Sequence, residues 1–534
     1  MTETQNNSAT CVRHSDLPGA SRLFVDLLYH HDRVAHFYPH RAGDPVAAQG
    51  LAKRLNYPAA RRAALVAALR EMNPPSASLE RLGEPGTVAV LTGQQVGLFS
   101  GPCFSVYKAL TAVKFAAYLS MEGTPAVPVF WLATEDHDFA EINQAWIFDS
   151  NTRPLSFSAS TTPKAGAPVG GTPLGDVPLA ALKQALQDFP FGPEIYADVE
   201  AHYGPAAASG TFDAAFRGLI QHWFSRFGLL TVDPLHPAMR ALAAPILAEA
   251  VRATAELMPA VHERSAQLVA AGYHAQVHLE SESSLFFLLD QGERKPLKLR
   301  NGAYASRERA YSVEELAARS ADLSANAILR PVVQDYMFPT VAVVGGPAEL
   351  AYFAQSEVLY QKLLGHIPVP VARAGFTLLS GRARKLLTRY QLRLEQCLIR
   401  EDELAGKIAA QLVPPAVTGT IDSARAETSY QLDRVRTQLA AYDPTLVAAL
   451  DKSQAKILHQ LGKLERKIAR EAMRRNERAA QESAYLAHWL YPDRHLQERL
   501  YSIVPFLGLY GPELLDTIYR NIHIDCPDHQ ILQP

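Results

Sequence analysis

Apolar positions along this chain fall into two textures. Short unbroken runs at 88–91, 127–132, 229–232, 275–279 and 341–344 predict buried strands, because a strand covered on both faces needs no polar alternation. Helical stretches near 103–121, 238–271 and 347–364 separate several of them, which is the alternation of a doubly wound α/β sheet with parallel strands. Residues 10–75 also read as helical, with Leu51, Leu55, Leu65 and Leu69 near helical spacing and Asn73-Pro74-Pro75 closing the segment.

Beyond Ser380 the texture changes. Leu386, Tyr390, Leu394 and Cys397 step by four, four and three. Leu432, Val435, Leu439, Tyr442 and Leu446 alternate threes and fours, as do Ile457, Leu461, Leu464 and Ile468. Arg, Lys, Glu and Gln fill most positions between, so the seam is narrow and flanked by charge, as in long coiled-coil helices. Pro414-Pro415 and Thr418-Gly419-Thr420 predict a turn that folds the helices into an antiparallel hairpin, and Asp443-Pro444 predicts a fresh helix start. The same seam could also pair two copies into a homodimer or belong to a globular bundle. The chain thus divides into an α/β core over 1–380, interrupted near 151–205 and 280–330, and a coiled coil over 381–485. A C-terminal segment, 486–534, is expected to pack back on the core.

Composition narrows the class. At 534 residues two or three domains are expected, and 48% hydrophobic with 20% charged residues reads as soluble and globular. The net charge of −2 offers no basic excess for nucleic acid. No run approaches a membrane span, and the polar N-terminus (residues 1–8) lacks a signal pattern, so a cytoplasmic protein is expected. Cys11, Cys103, Cys397 and Cys526 are scattered, which fits neither a disulfide framework nor a cysteine-rich zinc site.

Candidate chemistry gathers at strand ends, where open parallel sheets build their ligand sites. At the first, Gly93, Gly97 and Gly101 are spaced in fours, unlike either the dinucleotide fingerprint or the phosphate loop. Glycines before a helix let amides approach an anion, Gln94 and Gln95 add neutral donors and acceptors, and Lys108 adds charge. The alternative is a tight turn with glycines present for sterics. At the second, Glu135, Asp136, His137, Asp138 and Glu141 crowd carboxylates around an imidazole, which calls for a compensating ammonium, arginine or metal. Helix capping by Glu135 or Asp136 is the plain alternative. At the third, Arg330, Gln334 and Asp335 could recognise a carboxylate or sugar hydroxyls, and Gly345-Gly346-Pro347 forms a backbone cradle or a packing contact. His222 and His366 read as packing residues.

These stretches resemble the cysteine-adding enzymes of bacillithiol biosynthesis. The likeness rests on Thr92-Gly-Gln-Gln-Val-Gly-Leu-Phe-Ser-Gly-Pro, Trp131-Leu-Ala-Thr-Glu-Asp-His-Asp-Phe-Ala-Glu-Ile-Asn, Arg330-Pro-Val-Val-Gln-Asp-Tyr and Gly345-Gly-Pro-Ala-Glu-Leu-Ala-Tyr. Asp443-Pro-Thr-Leu and Gln497-Glu-Arg-Leu-Tyr with Leu509-Tyr-Gly-Pro extend it over nearly the whole chain. The resemblance implies a Rossmann-like parallel-sheet core with connecting-peptide insertions, plus a coiled-coil domain that supports a homodimer. It implies a ligase joining the carboxyl of L-cysteine to the amine of glucosaminyl malate, with ATP and Mg²⁺ for activation and no tightly bound cofactor, nucleic acid or membrane.

On that reading Asp136 or Asp138 holds an ammonium, His137 orients groups or moves a proton, and amides at Gly101 and Gly346 hold anions. Gly93, Gln94, Gln95, Lys108, Glu135, Arg330, Gln334 and Gly345 complete the crevice, and no residue is assigned to a metal. The core is also distantly similar to class I aminoacyl-tRNA synthetases, but lacks their His-Ile-Gly-His at the first strand end. Ser380-Gly381-Arg382-Ala383-Arg384-Lys385 is a poor match to their basic loop, and Gly365-His366-Ile367-Pro368 lies too late to replace the first motif. Two other classes therefore stay open: a scaffold protein of the thiol pathway that binds a nucleotide or sugar acid, and a metal-dependent hydrolase using Asp136, His137 and Asp138.

Overall fold

The structure, a computed structural model, describes residues 10–205, 210–280, 282–300 and 302–534; the polar N-terminal residues 1–8 lie outside them. The chain forms two compact units, one of residues up to 378 with 498–532, the other of 379–497.

Five parallel strands centre the first unit, in the order Val369–Ala372, Thr340–Gly345, Val88–Gln94, Ala126–Leu132 and Leu230–Val232. Alternate residues serve opposite faces. Val88 and Val90 pack with Ala112, Phe115, Ala116 and Leu119 of the helix Cys103–Met121. Ala89 and Leu91 join Val127, Val129, Trp131 and Leu230 in the larger core. Both faces are covered, which is why these strands read as continuous apolar runs. Chain order reverses between Val88–Gln94 and Thr340–Gly345, so a crevice opens beyond their carboxyl ends.

In this unit two sequence expectations need correction and one strand went unforeseen. Residues 275–279 form no strand, because the side-chain amide of Gln355 takes both backbone groups of Val277, donating to its carbonyl at 2.8 Å and accepting from its N–H at 2.9 Å. The helix expected over 238–271 is two, Pro237–Arg252 and Thr254–Ala270, broken at Ala253. The fifth sheet strand, Val369–Ala372, was unforeseen because Pro370 interrupts its apolar run.

Residues 283–325 build a five-stranded antiparallel sheet. Residues 144–158 form a hairpin, followed by the helices Leu179–Leu186 and Gly192–Tyr203. A third sheet joins the two ends of the unit. His529–Leu532 lies between Thr10–Val12, antiparallel, and Phe376–Leu378, parallel.

In the second unit the helices Pro415–Tyr442 and Val447–Arg474 form the antiparallel coiled coil. Each has 28 residues, about 42 Å of helix. Arg436 reaches Asp451 at 2.6 Å and Gln454 at 2.7 Å, while Arg425 pairs with Glu465, the descending register of an antiparallel pair. The reversal lies at Asp443, whose carboxylate accepts from Thr445 N at 2.9 Å before Pro444. Thr418-Gly419-Thr420 is therefore no turn but lies within the first long helix, which Pro415 starts from its first position, where its missing N–H loses no hydrogen bond.

Candidate active site

A cavity of about 510 Å³ sits in the crevice of the first unit. The strand ends contribute Gly93 to Gln95 and Glu135 to Asp136, the helix Pro347–Leu363 contributes Gly346 to Glu349 from its start, and the antiparallel sheet contributes Arg294 and Ala325, with Asn326 just beyond it. Arg330, Tyr352, Arg373 and Arg499 complete the polar lining, with Phe104 and Trp131 as aromatic walls.

One end is cationic. Buried Lys108 donates to Gly93 O at 3.0 Å and Gln94 Oε1 at 2.7 Å and pairs with Glu349, whose carboxylate also accepts from Gly346 N at 2.9 Å. Burial lowers the pKa of the Lys108 ammonium against the opposing pull of Glu349. Arg330 donates to Tyr352 Oη at 2.9 Å and Gln334 Oε1 at 3.2 Å. Arg373 donates to buried Glu498 at 2.6 Å. Arg499 lines the same wall, and burial and the neighbouring Arg373 lower its pKa. Among the described residues it has no hydrogen-bond or ion-pair partner. Among the described residues these four cations meet two carboxylates, Glu349 and Glu498. Like charges held together out of water make this end suited to binding an anion.

The other end is acidic. Glu135 pairs with Arg240 at 2.5 Å; burial raises its pKa against the pull of Arg240 and Arg294. Asp136 accepts from Gln95 Nε2 at 3.3 Å and from His137 N at 2.7 Å. Gln95 also donates to Glu141, whose pKa is raised by burial and then by Asp138 and Asp136. Arg294 spans this end, donating to Ser324 Oγ at 3.1 Å and Ala325 O at 2.9 Å, with its Nη1 3.1 Å from His137 Nδ1.

The two ends are wired together. Lys108 donates to Gln94, Gln94 Nε2 donates to Gln95 Oε1 at 2.6 Å, and Gln95 donates to Asp136 and Glu141. Each amide is oriented by its neighbour, so the paired glutamines carry a directed hydrogen-bond chain from ammonium to carboxylates.

Several expected residues fall elsewhere. Asp138 is the cap: its side chain accepts from Ala140 N at 3.1 Å at the start of Phe139–Ile142, and it does not line the cavity. His137 also stands outside the lining, against Arg294 and the Phe287 ring. Gly101 turns away; its N–H donates to Leu98 O at 2.9 Å, and at φ +64° it packs against Gly97, so it offers no amide to an anion. The Gly346 amide is likewise already donated to Glu349. Gly345 and Gln334 lie behind the cavity wall, with Gln334 bracing Arg330. Asp335 is buried, accepting from Tyr360 Oη and from Gln334 at 3.1 Å, and so cannot reach a ligand; burial raises its pKa to about 6 despite those bonds. Gly93 serves sterics, since a Cβ there would lie 2.9 Å from Trp131 O.

Sequence reasoning missed Arg294, Glu349, Tyr352, Arg373, Glu498 and Arg499 as site residues. Glu349, Tyr352, Glu498 and Arg499 sit inside motifs that carried the resemblance, and Arg294 inside the interruption near 280–330, so their neighbourhoods were visible. Their convergence was not, because it depends on long-range pairing.

Two family models match the chain: "Bacillithiol biosynthesis BshC, N-terminal Rossmann-like domain" over residues 9–374 and "Bacillithiol biosynthesis BshC, C-terminal coiled-coil domain" over 376–534. A "Putative cysteine ligase BshC" of Solibacter usitatus is 49% identical over 523 residues, 98% of this chain and 99% of its own. The protein of that name from Koribacter versatilis is 34% identical, covering 98% of this chain and 99% of its own. The one from Bacillus thuringiensis is 26% identical, covering 85% and 86%.

Proposed function

Because the chain belongs to the BshC family of bacillithiol biosynthesis, we propose that its cavity joins the carboxyl of L-cysteine to the amine of glucosaminyl malate. The observation that carries this reading is the separation of charge within one cavity. Glucosaminyl malate is itself bipolar, with malate carboxylates at one end and a sugar amine at the other. Its carboxylates match the excess of positive charge at Arg330, Arg373 and Arg499, where guanidinium forks bind carboxylates bidentately. Its amine is directed to Asp136 and Glu141, the carboxylates that Gln95 ties together.

Amide formation needs an activated cysteine carboxyl, for which ATP with Mg²⁺ is the proposed donor, as either an acyl adenylate or an acyl phosphate. The amine attacks the activated carbonyl, the C–N bond forms, and the phosphate-bearing group leaves with the carboxyl oxygen. Asp136, or Glu141 beside it, accepts the proton that the amine releases. His137 braces Arg294 in this scheme and does not touch substrate.

The homodimer belongs to the same proposal. Val435, Ile457 and Leu464 on the coiled-coil seam remain 45%, 41% and 47% exposed in a single copy, so a second copy has an apolar strip to cover. Mass spectrometry of the purified protein with L-cysteine, glucosaminyl malate, ATP and Mg²⁺ tests the activity. The cysteinyl product is expected, and release of AMP or ADP identifies the activated species. Binding of glucosaminyl malate without turnover would replace the ligase with a binding protein of the same pathway.

A further inference from the structure

Cys11 and Cys526 lie near opposite ends of the chain, yet their thiols hydrogen-bond one another. Strand pairing brings them together. Cys11 stands opposite Gln530 where Thr10–Val12 runs antiparallel to His529–Leu532, and Cys526 lies in the segment leading into that second strand. Cys11 is exposed and Cys526 half-buried, so a small reagent can reach the pair, whereas Cys103 and Cys397 are buried. Touching, accessible thiols are the arrangement from which disulfides form and reopen.

We propose that Cys11 and Cys526 form a reversible disulfide by exchange with low-molecular-weight disulfides. Cys11 holds its proton, since burial and then the adjacent Cys526 raise its pKa to about 11. In the proposed exchange Cys526 attacks first. Its thiolate displaces one thiolate from the reagent disulfide, leaving a mixed disulfide on Cys526. Cys11 then gives its proton to the released thiolate and attacks the Cys526 sulfur, expelling the second reagent thiol. The protein loses two electrons and two protons, and one reagent disulfide becomes two thiols.

The new bond staples the strand Thr10–Val12 to residues 522–527, which wall a small cavity shared with Thr111 and Arg373. The reading places a redox-responsive clamp directly behind the cationic end of the main cavity.

The test uses full-length reduced protein, freed of reductant and incubated with excess cystine, then digested without reduction. A Cys11–Cys526 cross-linked peptide is expected, with loss of two of the four thiols counted in denaturant and full recovery after dithiothreitol. Cys11→Ser should instead carry a single cysteinyl adduct on Cys526. Separate adducts on both cysteines, or four unchanged thiols in protein with native circular dichroism, would overturn the proposal. So would a cross-link found only in protein that has lost its native signal.

Discussion

Arg373 and Glu498 stand 125 residues apart in sequence and meet at 2.6 Å, with side chains only 7% and 2% exposed. Glu498 also accepts from Phe376 N at 2.9 Å, so it holds both the guanidinium and the backbone that follows it. The long helices lie between these residues in the chain. The C-terminal segment therefore completes the cavity wall and brings Arg499 with it. Removing one partner of a buried pair leaves the other charge uncompensated, so Glu498→Gln should cost about 3–5 kcal/mol in urea unfolding. A loss below about 1 kcal/mol would show that Arg373 is held by other contacts.

Among the described residues Arg499 has no hydrogen-bond or ion-pair partner to lose. Arg499→Ala should leave the urea midpoint unchanged within error while raising KM for glucosaminyl malate about tenfold or more, the loss of a charge-assisted hydrogen bond of about 1.5–3 kcal/mol. A fall in kcat at constant KM would instead place it at the reacting atoms.

Asp136→Asn keeps the side-chain shape and an oxygen for Gln95 but removes the charge proposed to hold the substrate amine. Turnover should fall by about a hundredfold or more, with thermal unfolding little changed. Full activity in this variant would sink the assignment. Asp138→Asn, which retains an N-capping side chain outside the cavity, should stay near wild type.

Acid sensitivity is set behind the cationic wall. Burial and then neighbouring His529 lower the pKa of His14 from 6.5 to about 4, and burial also lowers that of His529. Between those values the unfolded chain binds more protons than the folded one, so stability is full above pH 6.5 and falls as pH drops toward 4. His14 accounts for about 3 kcal/mol at most. Burial would raise the pKa of Glu498, but Arg373 and His529 hold it near 2, so its contribution is lost only between pH 4.5 and about 2. Urea titrations at pH 7.5, 5.5 and 4.5 should show the first loss, and His14→Gln should flatten it.

Gly93→Ala would press a Cβ to 2.9 Å from Trp131 O and 3.0 Å from its Cβ, between two hydrogen-bonded strands that cannot separate. A destabilisation of about 1–3 kcal/mol is expected, with loss of ligand affinity as Gln94 shifts. Unchanged calorimetry would mean that the strand pair yields more easily than its geometry implies.

Patterns local in sequence were legible from the sequence alone. Runs such as 88–91 and 127–132 declare strands buried on both faces, and the three–four steps from Leu432 to Ile468 declare the coiled coil. Hydrophobic period depends only on neighbours a few residues away. The same locality explains why the motifs at Gly93–Gln95, Glu135–Asp136 and Gly346 could be recognised as strand ends before any fold was known. It also explains the misplaced turn at 418–420, since a short polar stretch with one glycine carries little weight against a long continuous helix.

Tertiary structure alone decided which charges meet. Arg294 arrives on an antiparallel sheet, Arg373 follows a strand that Pro370 obscured, and Glu498 with Arg499 returns after the whole coiled coil. It also turned Asp138 and Gly101 away from the cavity, because capping and a tight Gly97–Gly101 contact are satisfied locally first. Charge balance in a cavity is a property of groups brought within a few ångströms by the fold, and no local pattern contains that distance. The fold, not the order of residues, is what makes one end of this cavity cationic and the other acidic.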